Sequence, residues 1–402
     1  MLPTPAMFES VSTAPPDAIL GLSEAFQKDP HPEKINLSVG VYQDAEGRTP
    51  ILRCVKEAER RLVEHEPTKS YLGIDGLGEF RRHVQRLLFA DQIDPARTVV
   101  MQAPGGTAGL RIAADFLAGH FPGSRVWVSN PTWANHMAIF QAARVPAETY
   151  RYLNADKTGL DFDGMIADLR EQAAPGDAVL LHACCHNPTG VDPTAAQWQQ
   201  LAELLRDRQL LPFLDFAYQG FGTGLEEDAA GLRTVLAACP EALIANSFSK
   251  NFGLYSERVG AAVLVAGQAE AAEAARSQLK RVVRSNFSNP PRHGGAIVAT
   301  ILDDQELTAV WQEELAAMRA RIATMRRRFV TQMHALQDRQ NFGFLLDQNG
   351  MFSFSGLNPM QVDRLRTEHS VYIVGSGRIN VAGITEANLE RLCQAIVAVS
   401  DT

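Results

Sequence analysis

The stretch Leu243-Ile244-Ala245-Asn246-Ser247-Phe248-Ser249-Lys250-Asn251-Phe252-Gly253 decides how the rest of the chain is read. It begins as an apolar run of strand length and ends in two hydroxyls and a lysine, with Arg258 a little further on. Polar side chains gathered just past the C-terminal end of a buried strand are where open parallel sheets bind ligands. A lone lysine in such a place is ordinarily a surface residue. Two serines and an arginine fork beside it make a cradle for a phosphate. A lysine within that cradle can form a Schiff base with an aldehyde, provided burial or neighbouring cations lower its pKa.

Moving outward, the same punctuation recurs. Val99-Val100-Met101 runs to Gly105-Gly106-Thr107 and an apolar helix through Leu110–Leu117. Arg125–Val128 runs to Asn130-Pro131, and Ala178–Leu181 to Asn187-Pro188-Thr189-Gly190, with a helix predicted over 195–206. Leu211–Leu214 ends at Asp215, and Val259–Val265 is a further run. Strands apolar on both faces, separated by helical periodicity, predict an α/β fold with a mostly parallel central sheet between two helical layers. Beyond it, Leu315, Met318, Ile322, Met325, Phe329 and Met333 recur at spacings of three or four, which predicts a long amphipathic helix over 306–337. Arg326-Arg327-Arg328 is expected on its solvated face. Short strands at 350–354 and 378–381 and a helix from Glu386 predict a smaller α+β domain. Pro3, Pro5, Pro15 and Pro16 predict an extended N-terminal arm. The expected division is 1–45 for the arm and part of the small domain, 46–310 for the large domain, and 311–402 for the small C-terminal domain.

Bulk properties narrow the function. The chain has 402 residues, 46% hydrophobic and 21% charged, enough to bury a large core without disulfide or metal staples. A formal charge of −8 argues against nucleic acid as a partner. No run of eighteen apolar residues exists, so no membrane span is expected. The opening MLPTPAMFES has neither a basic nor an apolar leader segment, and the five cysteines are an odd number; both point to a cytoplasmic protein with reduced thiols. Neither a P-loop nor a complete G-x-G-x-x-G is found, which disfavours nucleotide chemistry. His182-Ala183-Cys184-Cys185-His186 has zinc-ligand residue types. Strand alternation, however, puts His182, Cys184 and His186 on one face without a fourth ligand, so buried structural cysteine is the reading and no metal is expected.

The cofactor that combines a phosphate with an aldehyde is pyridoxal phosphate. It acts as an electron sink when its pyridine nitrogen stays protonated, which calls for a carboxylate. Asp215 ends an apolar strand, although such an aspartate also serves as a helix cap. Tyr218 and Asn187 can hydrogen-bond the phenolic oxygen, and Trp133 offers a plane for ring stacking. Gly105-Gly106-Thr107 opens a helix whose N–H groups can bind the phosphate.

These residues, together with Asn36–Tyr42, Tyr71–Gly76, Pro104–Thr107, Asn130–Trp133, Glu257–Gly260, Ser288–Pro291, Gly350–Gly356 and Ser376–Gly383, follow one another in an order that resembles class I aminotransferases of the pyridoxal-phosphate fold type I, in the aspartate and aromatic amino-acid group. The resemblance covers nearly the whole chain. It implies that Lys250 carries the cofactor and moves the proton. It implies that Asp215 pairs with the pyridine nitrogen, with Asn187 and Tyr218 on the phenolic oxygen and Trp133 on the ring. Gly106, Thr107, Ser247, Ser249 and Arg258 would bind the phosphate, with Tyr71 reaching over from a second subunit. Arg378 would clamp the substrate α-carboxylate, Arg284 would take a side-chain carboxylate across a dimer interface, and Gly40 would lie beside the substrate. A homodimer with shared active sites is implied, acting on amino-acid and 2-oxo-acid substrates by a ping-pong mechanism.

Within that group the sequence has features of both branches. Thr107, Asn289 and Tyr71–Asp75 resemble the aspartate-specific enzymes, whereas Ser38, Phe213–Asp215 and Asn246–Lys250 resemble the aromatic ones. The leading expectation is transfer from aspartate to 2-oxoglutarate, with aromatic amino acids as further donors. Aromatic transamination as the main activity, and a lyase or decarboxylase, are the alternatives.

Overall fold

Eleven strands are present among the described residues: β1 (Ile35–Asn36), β2 (Thr98–Pro104), β3 (Val126–Asn130), β4 (Ala147–Arg151), β5 (Ala178–His182), β6 (Leu211–Phe216), β7 (Ala242–Ser247), β8 (Val259–Val265), β9 (Phe352–Phe354), β10 (Val371–Tyr372) and β11 (Arg378–Asn380). They are taken from a computed structural model that describes residues 7–13, 20–337 and 341–400. The four N-terminal prolines lie outside these residues, and with them most of the expected arm.

Seven strands form the central sheet in the order β2-β8-β7-β6-β5-β3-β4. β7, β6, β5, β3 and β4 run parallel, and β8 is antiparallel to both of its neighbours. Two reversals restore direction, so β2 also points with the parallel set. Every strand of β5 to β8 is buried along nearly its whole length, which needs cover on both faces. The helix Gly105–His120 supplies part of that cover, packing on β8 and β7. The helix Ala195–Asp207 begins at a capping box: Thr194 Oγ1 accepts from Gln197 N, and the Gln197 side chain accepts from Thr194 N.

The expected long helix is Gln305–Leu336, started by Asp304, whose carboxylate accepts from Leu307 N at 2.9 Å. It runs unbroken through position 310, so the expected division there is not a break in secondary structure. Trp311 docks it onto the loop after β7. The indole is fully buried, stacks on Phe252 at 4.4 Å, and donates from Nε1 to Asn251 O at 2.8 Å. Truncating an anchor of this kind costs about 3–5 kcal/mol.

The expectation for Arg326 is corrected. Arg327 and Arg328 are exposed, but Arg326 is 6% exposed and donates to Gly350 O at 2.6 Å. The helix is covered on that side by residues 350–353, whose proximity no local periodicity reports. Burial lowers the guanidinium to about 10. Gly350 adopts φ +76, and a Cβ there would lie 2.5 Å from Cys185 Cβ, so β9 starts at Phe352 rather than at Gly350.

The remaining strands form two short ladders. β1 pairs parallel with β10, and β9 antiparallel with β11. Residues near both ends of the chain thus meet beside the C-terminal edge of the central sheet. No helix among the described residues is long and apolar enough to cross a membrane.

Candidate active site

The C-terminal ends of β5, β6 and β7, the start of β8 and the helix after β2 converge on a cavity of about 260 Å³. Gly40, Gly106, Thr107, Trp133, Asn187, Asp215, Tyr218, Ser247, Ser249, Lys250, Arg258 and Arg378 all line it. A larger cleft of about 760 Å³ lies at the opposite edge, around Leu211 and Ala242 at the starts of β6 and β7. Its walls are mostly aliphatic and aromatic, and it holds none of the lysine, carboxylate and arginine set.

Lys250 follows β7 in a turn closed by Gly253 N donating to Lys250 O at 3.0 Å. Its Nζ lies 5.1 Å from the centre of the Tyr218 ring. Burial brings the amine down to about 8, with the Asp215 charge opposing and Arg258 assisting. Asp215 is 7% exposed, and its Oδ2 lies 2.9 Å from His136 Nε2. Burial alone would raise its carboxyl. The hydrogen bond from His136, with the Lys250 charge nearby, outweighs burial and holds it below its ordinary value. His182, between these groups, is lowered by burial to about 3 and is therefore neutral. Tyr218 is raised by burial, Arg378 opposing, so its hydroxyl keeps its proton and is available as a donor.

The other end of the cavity is built for an anion. Gly105 has φ +80, and a Cβ there would lie 2.5 Å from Arg258 Nη2. A Cβ on Gly106 would lie 3.1 Å from Ser247 Cβ. Without side chains at these positions, the first N–H groups of the helix Gly105–His120 lie against Ser247 and Arg258. Pro104 precedes that helix and offers no side-chain cap, so these donors and the positive helix end face the cavity. Arg258 Nη1 donates to Tyr255 O at 2.9 Å and reaches Ser249 Oγ at 3.4 Å.

Across the cavity, Arg378 leaves β11 with 4% exposure. Its Nη2 donates to Ser38 O and its Nη1 to Asn187 Oδ1 at 3.4 Å. Nε is buried and has no hydrogen-bond partner among the described residues. The guanidinium lies 4.3 Å over the Phe352 ring, and burial lowers it to about 10. A buried cation with an unused donor edge suits a carboxylate.

Two expected residues are not brought to this cavity. Tyr71 is 94% exposed. Arg284 is exposed near the end of the helix Ala269–Asn286 and donates to Ser288 Oγ. They share a surface: Ser288 donates to Asn289 Oδ1, and Asn289 Nδ2 donates to Leu72 O at 2.7 Å.

The structure adds residues that the sequence reading did not assign. His136 orders Asp215 and meets Trp133 edge to face at 5.2 Å. Its signal was its position three residues after Trp133, at the start of the helix Asn135–Ala142. Phe352 and Tyr255 also line the cavity. The expected alternation across His182–His186 does not hold, because β5 ends at His182. That histidine clusters with His136 and Asp215, whereas Cys184 and Cys185 gather with Asp228.

This donor set fits pyridoxal phosphate: a capless helix end with hydroxyls and an arginine for the phosphate, an amine of lowered pKa, and an ionised carboxylate held by a histidine. Comparison with known proteins agrees. Residues 32–396 match the family described as aminotransferase class I and II. The chain is 54% identical to the aspartate aminotransferase of Salmonella typhi, covering 98% of this chain and all of that one. It is 49% identical to the aromatic-amino-acid aminotransferase of Pseudomonas aeruginosa, covering 98% of each. A crystal structure of the aromatic-amino-acid aminotransferase of Burkholderia pseudomallei, covalently bound to pyridoxal phosphate, superposes with a TM-score of 0.95 at 48% identity, covering 98% of this chain and 99% of that one.

Proposed function

The chain belongs to the class I and II aminotransferases, and from that membership we propose that it moves the amino group of aspartate to 2-oxoglutarate, working as a cytoplasmic homodimer. It is a pyridoxal-phosphate enzyme. The observation that carries the reading is the meeting of Lys250, Asp215 and Arg378 in one cavity. Pyridoxal phosphate supplies an aldehyde for the amino group and a ring that accepts charge from the carbon losing its proton.

The chain's own residues do the rest. Arg378 binds the α-carboxylate through its unused Nε edge, with Asn187 beside it, and so fixes the α-carbon relative to Lys250. Lys250 Nζ, which burial makes far easier to deprotonate than an ordinary lysine, takes the α-proton and returns it; positioned acid–base catalysis of this kind contributes about 10²–10⁴-fold. Asp215, kept ionised by His136, holds a proton on the ring nitrogen. Tyr218 O–H and the Asn187 amide would donate to the phenolic oxygen, Trp133 would cover the ring, and Gly40 would lie beside the substrate. Gly106, Thr107, Ser247, Ser249 and Arg258 hold the phosphate.

Tyr71 and Arg284 serve the neighbouring site. Their exposure on one connected surface, away from their own cavity, supports a homodimer in which Tyr71 reaches the partner's phosphate and Arg284 the partner's substrate side chain. Residues 46–310 then form the cofactor-binding unit. The β1–β10 pairing supports joining residues up to 45 with 311–402.

Aspartate alone should release one equivalent of oxaloacetate per site and then stop until 2-oxoglutarate is added. Continuous release of ammonia or carbon dioxide from aspartate would instead mean a lyase or decarboxylase. A second reading, aromatic transamination as the main activity, is supported by the aromatic relatives at 48–49% identity. The ratio of kcat/KM for aspartate over tyrosine and phenylalanine decides between them.

A further inference from the structure

Residues 37–44 form an irregular strap that follows β1 and carries Gly40 to the cavity. Its hydrogen bonds go mainly to the C-terminal strands. Leu37 N donates to Tyr372 O at 2.8 Å, and Leu37 O accepts from Asn380 N at 2.8 Å. Ser38 O accepts from Arg378. The Asn380 amide donates to Val39 O at 2.8 Å and to Val41 O at 2.7 Å, bracketing Gly40. Because β11 alternates with period two, Arg378 and Asn380 leave it on the same face, so the proposed carboxylate arginine and the strap share one support.

One hydrogen bond of the strap is different. Tyr42 N donates to Tyr255 Oη at 2.9 Å, across 213 residues. Tyr255 lies between β7 and β8, five residues after Lys250, and its own carbonyl accepts from Arg258 Nη1. Among the described residues, this is the strap's one hydrogen bond to the part of the chain that forms the central sheet. Beneath the strap there is little slack: a Cβ on Gly40 would lie 3.0 Å from Phe352 Cζ, and Phe352 also underlies Arg378.

We propose that Tyr255 is a positioning residue that latches the strap to the cofactor-binding unit, and through Ser38 sets the orientation in which Arg378 meets the substrate carboxylate. The proposal rests on the aminotransferase reading for its kinetic consequence but not for its structural one. The Tyr255 backbone carbonyl, not its hydroxyl, touches Arg258, so loss of the hydroxyl leaves the phosphate end intact.

The test uses the holoenzyme with Tyr255→Phe and, as control, Thr49→Val, which removes the Thr49 Oγ1 bond to Tyr42 O at 3.1 Å but does not touch the segment between β7 and β8 that carries Lys250. Hydrogen–deuterium exchange of a peptide spanning 37–44 should speed up by about 2- to 12-fold in Tyr255→Phe, the effect of one neutral hydrogen bond. Exchange in β2 should stay unchanged. KM for aspartate and for 2-oxoglutarate should rise by a similar factor, with kcat and cofactor affinity within about twofold of the parent. Thr49→Val should leave both KM values in place. Unchanged exchange in Tyr255→Phe, or an equal KM rise in Thr49→Val, would overturn the latch. Faster exchange without transamination by the parent enzyme would keep the latch and remove the aminotransferase reading.

Discussion

Replacing Gly190 by alanine tests the junction between the loop that carries Asn187 and the segment that carries Phe352. Gly190 has φ +72, and a Cβ there would lie 2.4 Å from Phe352 O, with Asn349 O and Gln348 Cβ at 3.1 Å. The nearest two of these are backbone atoms, so no side chain can swing aside. Left-handed backbone costs an alanine about 1 kcal/mol. Opening the contact to van der Waals distance needs a shift of about 1 Å. That shift breaks the 2.7 Å hydrogen bond from Asn349 N to Gly190 O and strands a donor in the interior, for about 1–3 kcal/mol more. The expected cost is therefore about 2–4 kcal/mol. Gly47→Ala is the matched control, because Gly47 has φ +75 with nothing within 4 Å of a Cβ. It should cost about 1 kcal/mol. Urea unfolding of both cofactor-free variants, followed by tryptophan fluorescence, gives the difference. kcat/KM should fall at least about tenfold in Gly190→Ala alone, since 1.4 kcal/mol of lost alignment suffices. Equal destabilisation by the two substitutions would refute the close approach and the reasoning built on it.

Other outcomes follow from the site. Lys250→Ala should abolish transamination and leave no cofactor mass on the protein after borohydride reduction; retained mass would move the attachment elsewhere. Uptake of pyridoxal phosphate by the cofactor-free protein should rise through a midpoint near pH 8, where the Lys250 amine loses its proton, and Asp215→Asn should move that midpoint lower. Between about pH 8 and 10.5 the unfolded chain holds a proton on this lysine that the folded chain has released, so this group makes the cofactor-free protein more stable as pH rises across that window, as pH-dependent denaturation would report. Arg284→Leu should lower kcat/KM for aspartate by about 30-fold or more, the loss of a desolvated carboxylate partner, while sparing phenylalanine. Mixing Arg284→Leu with Arg378→Leu subunits should restore about a quarter of the sites of a random dimer mixture, because one hybrid site has both arginines; no recovery would argue against a shared site.

The sequence disclosed the strand ends well. Asp215 and Lys250 each terminate a run with apolar residues on both faces, a pattern that reports burial and direction together. Arg326 was misread because its cover comes from residues 350–353, and a helical wheel contains no information about a segment more than twenty positions away. His136 was overlooked as the partner of Asp215 for the same reason: the two are 79 residues apart and meet only when β3, β5 and β6 are laid side by side. Tyr255 sits in plain view of Lys250, but its hydrogen bond is to a backbone N–H, which leaves no residue-type signature at Tyr42. The roles proposed for Tyr71 and Arg284 rest on resemblance alone, since nothing in their local sequence distinguishes an arginine for a neighbour's substrate from one for solvent.

The bond between Arg378 and Ser38 O joins positions 340 residues apart. At the about 5–20 residues per second of bacterial-to-eukaryotic synthesis, the strap emerges roughly 20 seconds to a minute before the strand that will hold it. The central sheet, complete at residue 265, can form in that interval with its phosphate cradle in place. Until then the strap has only the Tyr255 hydroxyl to hold it, and β1 has no partner strand. On the roles proposed above, a nascent chain therefore has the means to take up the cofactor well before it can grip a substrate.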